Sequence, residues 1–160
     1  MHQNEYRSGL NLDEKLMIGI VRVAEFFKKK SSAIFKNYGL TFSQYNVLRV
    51  LNSSTNGINT VTNVSKIMLV TGANMTGLSK RLERDGFLIR KRDPKDERVT
   101  LLEISPKGKK TLKNIEEEKE GHIKSYLTAF SDDKKRELLE NIRQMLRSEG
   151  QEAIAKSPKA

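Results

Sequence analysis

The hexapeptide Asp93-Pro-Lys-Asp-Glu-Arg98 stands between two short apolar runs, and no other feature constrains the fold of this chain as tightly. Phe87-Leu-Ile-Arg-Lys-Arg92 precedes it and Val99-Thr-Leu-Leu-Glu-Ile104 follows. Runs rich in β-branched or aromatic residues read as strands, and the Pro, Lys and Asp residues between them read as a hairpin tip. A two-stranded hairpin is marginal alone and needs a surface to pack on. Just upstream, Gly72 to Asp85 has the spacing of a short basic helix. A helix running directly into a charged hairpin is the winged variant of a helix-turn-helix, which points to DNA.

The rest of the chain reads as helices around that unit. Leu12, Leu16, Ile20, Val23, Phe27 and Ile34 recur at helical spacing with Lys28-Lys29-Lys30 on the other side, which predicts a long amphipathic helix over 11–37, closed by Gly39. Thr41-Phe-Ser-Gln44 is a capping box opening a second helix with Tyr45, Leu48 and Leu51 inward. Asn56-Gly57 is a turn. Thr60 then caps a short helix with Val61, Val64, Ile67 and Met68 inward, and Thr71 caps the next, from Gly72 to Asp85, ended by Gly86. The three-residue join between these two helices suits a helix-turn-helix. Ser105-Pro106 opens a further helix carrying Leu112, Ile115, Ile123, Tyr126, Leu127 and Phe130. Ser131-Asp132-Asp133 starts a last one with Leu138, Leu139, Ile142, Met145 and Leu146. The tail from Gln151 to Ala160 has little to bury and is expected to fray.

At 160 residues the chain is expected to be one domain, and its formal charge of +10 suits a polyanionic partner. Eleven cations and six acids fall between residues 72 and 110, so half the net charge sits in about a quarter of the chain. No cysteine is present, which removes disulfides, thiolate metal sites and thiol switches from these residues. No apolar run reaches the ~18 residues of a membrane span, and the polar N-terminus leads into no signal-peptide core, so the cytoplasm is the expected location. His2 and His122 lack metal-ligand spacing, so no metal is expected. Gly72-Ala-Asn-Met-Thr-Gly77-Leu78-Ser79 nearly spells a phosphate-binding loop, but Leu78 stands where lysine is needed and the stretch lies inside a helix pattern. Without a nucleophile–base pair or a cofactor motif, neither an enzyme nor a cofactor is expected.

In the segment 72–85, Met75, Leu78 and Leu82 share a face that should seat on the core. Ala73, Thr76, Gly77, Lys80 and Arg84 fall near the opposite face. Small residues at the leading end let the backbone approach a groove, and cations further along reach phosphates or guanine edges.

The stretch from Met75 to Gly108 resembles the core of the multiple-antibiotic-resistance regulator (MarR) family. The likeness rests on Arg81-Leu-Glu-Arg-Asp-Gly86, on Asp96-Glu-Arg98 and on Ile104-Ser-Pro-Lys-Gly108. Two positions depart from the family pattern: Gly77 stands where many relatives carry arginine, and Ser105 replaces a capping threonine. The resemblance implies a mostly α winged helix-turn-helix over 58–105 with a two-stranded wing, and long dimerisation helices over 10–38 and 106–150. It further implies a homodimeric regulator of a pseudo-palindromic double-stranded DNA operator, usually a repressor, released by a small organic effector. The wing arginine, here Arg98, would enter the minor groove, oriented by a charge-assisted pair with Asp96. Asn74, Thr76, Lys80, Arg81, Arg84 and Lys95 complete the expected DNA-binding set. The alternative is a non-catalytic basic protein that binds RNA or acidic proteins.

Overall fold

The computed structural model describes residues 9–155, with the side chains of 121–124 and 148–155 excepted. His2, the side chains of His122 and Ile123, and the last five residues lie outside the described set. The chain divides into two compact units, one ending at Lys119 and the other beginning at Glu120.

The first unit opens with α1 (Leu12–Asn37), started by a capping box that the sequence reading did not single out. The Asn11 side chain accepts from the Glu14 N–H, and the Glu14 carboxylate accepts from the Asn11 N–H, both at 2.9 Å. α2 (Phe42–Asn52) begins at the expected Thr41–Gln44 box. A single 3-10 turn, Thr55–Gly57, leads into β1 (Ile58–Thr60) and then α3 (Val61–Ile67), capped by Thr60. α4 (Gly72–Arg84), β2 (Leu88–Arg92) and β3 (Thr100–Ile104) follow. α5 (Pro106–Leu127) begins in this unit, and α6 (Asp132–Ala155) belongs to the second.

The helix ends share one device. In α1, α3 and α4 the two residues after the cap close back onto the last turn, as Gly86 N–H to Glu83 and Phe87 N–H to Leu82 do at 2.9 and 2.8 Å. That closure needs a left-handed residue, and Gly86 supplies it at φ +77°. After α3 the position is filled by Leu69 at φ +53°, where a Cβ costs about 1–2 kcal/mol. The turn between α3 and α4 therefore holds a strained, exposed leucine.

Around these elements a core forms from Phe35, Val47, Leu48, Leu51, Val64, Met75, Leu82, Leu102 and Ile115, all fully buried. Phe35 stacks on Tyr45 with ring centres 3.9 Å apart. Lys119 lies over both rings and donates to the Tyr45 hydroxyl at 3.1 Å. Each such large apolar side chain contributes roughly 1.5–3 kcal/mol by leaving water.

The sheet has three antiparallel strands in the order β1-β3-β2. The wing hairpin is β2 and β3, in register from Leu88 opposite Ile104 to Arg92 opposite Thr100. β1 adds a strand the sequence reading lacked, with Ile58 opposite Glu103 and Thr60 opposite Leu101. Three residues, Ile-Asn-Thr, are too few to show a period. α5 begins against this sheet because Gly108 has no side chain: a Cβ there would lie 2.3 Å from the Phe87 carbonyl oxygen.

Other details differ from expectation. Ile67 is 54% exposed rather than inward; the short α3 turns Val61, Val64 and Ser65 inward, with Met68 packed against the core at its C-cap. Phe130 lies beyond α5, in the turn to α6, with its N–H on the Leu127 carbonyl at 3.1 Å. α6 continues to Ala155, past the point where fraying is expected to begin. Among the described residues, no helix is long and apolar enough to cross a membrane.

Candidate nucleic-acid interface

One face of α4 is committed to the core and the other is not. Met75, Ser79 and Leu82 are fully buried, and Leu78 packs against them partly covered. Ser79 tolerates burial because its hydroxyl donates to the Thr76 carbonyl at 3.1 Å. On the other side Ala73, Asn74, Lys80, Arg81 and Arg84 are exposed, with Thr76 and Gly77 half-buried. The Thr71 hydroxyl accepts from the Asn74 N–H at 3.3 Å and fixes the leading turn. The small-then-basic order read from sequence is thus the order of the exposed face.

The three cations of this face differ in freedom. Arg81 lies back along the helix, its Nε donating to the Gly77 carbonyl at 3.2 Å. Its guanidinium occupies the space above Gly77, 3.6 Å from where a Cβ would stand. Arg84 folds onto Asp85 through contacts of 2.9 and 3.4 Å. That hydrogen bond raises the Arg84 pKa and lowers that of Asp85. With the Arg84 side chain 74% exposed, the pair is weak and exchangeable. Lys80 has no hydrogen-bond or ion-pair partner among the described residues.

The wing tip, residues 93–99, is held by its own side chains. The Asp93 carboxylate accepts from the Lys95 N–H at 2.8 Å, and the Asp96 carboxylate accepts from the Arg98 N–H at 3.0 Å. These are turns in which an aspartate mimics the backbone two residues on. Asp93 N–H donates to the Val99 carbonyl at 3.0 Å, and the Arg92 guanidinium donates to the Glu97 carbonyl at 3.0 Å. The expected charge-assisted pair between Asp96 and Arg98 is therefore replaced by a main-chain contact. Asp96 shapes the turn that presents Arg98, and the Arg98 guanidinium is exposed with no partner among the described residues.

Several contacts that set this geometry were not foreseen from the sequence. Glu83 accepts from the Arg90 N–H at 3.1 Å and lies 3.9 Å from its guanidinium, tying α4 to β2. Lys107 donates to the Asp85 carbonyl at 2.7 Å and sits 4.5 Å from the Phe87 ring centre. Lys91 bridges to Glu103 across the hairpin at 2.6 Å. The Ser105 hydroxyl donates to the Gly86 carbonyl at 2.7 Å and accepts from the Gly108 N–H at 3.0 Å. Serine thus caps α5 where the family pattern has threonine, and it also locks α4's exit to the sheet.

With this geometry in view, the likeness to known proteins has physical content. Residues 29–115 match the family described as Transcriptional regulator SarA/Rot. The HTH-type transcriptional regulator BilQ of Clostridioides difficile is 32% identical over 132 residues, spanning 81% of this chain and 86% of its own. Sco5413, a MarR family transcriptional regulator from Streptomyces coelicolor, superposes with a TM-score of 0.75 at 22% identity, covering 88% of this chain and 98% of that one. AbfR, solved in reduced form bound to DNA, gives 0.67 at 21% identity over 86% and 93% of the two chains. The organohalide-sensing regulator RdhR-CbdbA1625, solved with 2,4-dichlorophenol, gives 0.77 at 18% identity over 92% and 86%. These proteins are transcriptional regulators, not enzymes. The chain belongs to the SarA/Rot transcriptional regulators and has the winged helix-turn-helix fold of MarR-type proteins.

Proposed function

We propose that this chain is a homodimeric repressor that reads a pseudo-palindromic duplex site, with α4 in the major groove and the wing on the minor groove. The observation that carries the reading is the free, outward Arg98 at the tip of a wing whose shape is fixed by Asp93 and Asp96. A narrow minor groove concentrates negative potential and attracts an arginine held in this way. Asn74 and Thr76 stand at the leading end of α4, where base edges come within reach. Lys80, Arg81, Arg84 and Lys95 serve the phosphates, with Arg84 exchanging Asp85 for phosphate on binding. AbfR, which has the same fold, has been solved bound to DNA, and that supports the DNA-binding reading.

Dimerisation would use the apolar residues the fold leaves bare. On α1, Leu12, Leu16, Ile20 and Val23 are exposed; on α6, Leu138, Leu139, Ile142, Met145 and Leu146 are exposed. Exposed apolar stripes of this kind mark interaction sites, and a two-fold dimer would present two recognition helices to a symmetric site. Release by a small organic ligand is the reading favoured for induction, supported by the dichlorophenol-bound state of RdhR-CbdbA1625 and by the absence of cysteine from these residues. The ligand must bind the DNA-incompetent arrangement better than the competent one.

Selection of bound duplexes from a random pool tests this reading. The expected product is a family of two-fold symmetric sites whose half-site centres lie about one helical turn apart. Enrichment of single-stranded or asymmetric sequences would instead favour a basic protein that binds RNA or acidic partners.

A further inference from the structure

β2 is an edge strand of the sheet, and one of its charges points the wrong way for a solvated edge. Side chains alternate across a strand, so Leu88, Arg90 and Arg92 share one face while Ile89 and Lys91 share the other. Leu88 is buried and Ile89 is 49% exposed, which puts Arg90 on the face that packs inward. Its side chain is 19% exposed, and its Nε is buried with no hydrogen-bond partner among the described residues. A cation held out of water in this way needs an anion close by. Glu83 of α4 is that anion, 3.9 Å from the guanidinium.

The same carboxylate also holds the backbone. Ser105 N–H donates to the Phe87 carbonyl at 3.1 Å and Asp93 N–H to the Val99 carbonyl at 3.0 Å, so the odd-numbered residues from 87 to 93 bond toward β3. In an antiparallel pair the alternate N–H groups then point away from the partner strand. Arg90 N–H is one of these, and it donates to Glu83 at 3.1 Å. An inward charge on an edge strand is explained by protection of that edge from other strands. Edge protection does not require a carboxylate from α4 to hold both the guanidinium and the N–H of one residue.

The position of this contact gives it leverage. α4 passes into β2 through Asp85, Gly86 and Phe87, and Gly86 stands at φ +77°, where no side chain stiffens the backbone. Ser105 and Lys107 hold that joint through the Gly86 and Asp85 carbonyls. Beyond Phe87, among the described residues, the hydrogen bond between α4 and the hairpin is the one from Arg90 to Glu83. Burial of Leu82 and Leu88 in one core holds the two elements together without fixing an angle.

We propose that Glu83 is a positioning residue that sets the angle between α4 and the wing, so that α4 and Arg98 engage one duplex together. This role rests on the DNA-binding reading, in which the two occupy neighbouring grooves. Two effects of removing Glu83 then have opposite signs. As a bare negative charge near Lys80 and Arg84, its loss would tighten every duplex. As a brace, its loss removes the contribution of Arg98.

The test measures the Arg98→Ala penalty on a selected operator by fluorescence anisotropy in wild type, Glu83→Ala and Glu83→Gln. Glutamine keeps a side-chain oxygen for the Arg90 N–H and loses the charge. The penalty is expected to be roughly 5–150-fold in wild type. It should fall below about threefold in Glu83→Ala, because the two positions are coupled without touching, and stay near the wild-type value in Glu83→Gln. An equal penalty in all three proteins overturns the proposal, as does equal tightening of operator and shuffled duplex by both substitutions. A missing penalty in wild type is a different result: the wing then does not read DNA, and Glu83 has nothing to position. A second measurement needs no DNA. The chain has no cysteine, so K80C and K95C carry spin labels with no other thiol to react. With labelled chain diluted in excess unlabelled chain, the distance distribution between them should broaden in Glu83→Ala and stay narrow in Glu83→Gln. An unchanged distribution in Glu83→Ala overturns the proposal.

Discussion

The winged unit and the long helices on either side of it carry similar apolar periodicity but treat it in opposite ways. Between Phe35 and Ile115 most of the periodic residues, Ile67 aside, are covered by their own chain: Leu48, Leu51, Val64, Met75, Leu82 and Leu102 are all fully buried. In α1 before Phe35 and in α6, residues with the same spacing stay exposed, with Leu12 at 79% and Leu146 at 57%. A stripe that the chain cannot cover costs solubility unless something else covers it. The lesson is that periodicity predicts a helix and its apolar face, while only the count of elements available to pack on that face predicts whether it is core or interface.

The sharpest way to break this comparison is to charge the bare stripe. Ile142→Glu is expected to give a folded monomer by sedimentation and to lower operator affinity by roughly 10²–10⁴-fold, the avidity lost when two linked sites become one. An unchanged dimer would show that α6 does not supply the interface. In the covered region a cavity should act on stability instead: Leu102→Ala is expected to cost about 2–5 kcal/mol in denaturant unfolding. Gly108→Ala should follow, at about 1–3 kcal/mol, because its new Cβ meets the Phe87 carbonyl and pushes α5 from the sheet. Leu69→Gly sharpens the account in the other direction. Relief of the left-handed strain after α3 should stabilise by about 1 kcal/mol or less, and a loss of stability would mean that the leucine side chain has packing value that its exposure does not suggest. Smallest is Lys95→Ala, which should weaken all duplexes alike and reduce the salt dependence by about one unit of slope.

Much of the fold was legible in the sequence, for identifiable reasons. Thr41–Gln44, Thr60, Thr71 and Ser105 announce helix starts because a side-chain oxygen and a free N–H stand three residues apart, and each cap is formed. The wing was legible because aspartate, proline and lysine interrupt two β-rich runs. β1 was not, since three residues show no alternation and its pairing partner is a strand some forty residues later. Ile67 was misplaced because a seven-residue helix has room for little more than one inward face. At the candidate site the exposed residues of α4 followed from helical geometry alone. The partner of Asp96 did not: a carboxylate two residues before an arginine can reach either its guanidinium or its N–H, and the turn geometry selects the N–H. Contacts such as Glu83 with Arg90 and Lys107 with Asp85 join elements whose packing the sequence does not state.

If the wing reads duplex DNA through Arg98, fluorescence anisotropy must separate wild type from Arg98→Ala. Both proteins would be titrated onto a selected operator and a shuffled duplex across a salt series. Arg98→Ala is expected to lose about 1–3 kcal/mol on the operator, most where A·T-rich flanks narrow the minor groove, and less on the shuffled duplex. Unchanged affinity on both duplexes with an unchanged salt slope would mean that the hairpin is not a DNA-reading wing.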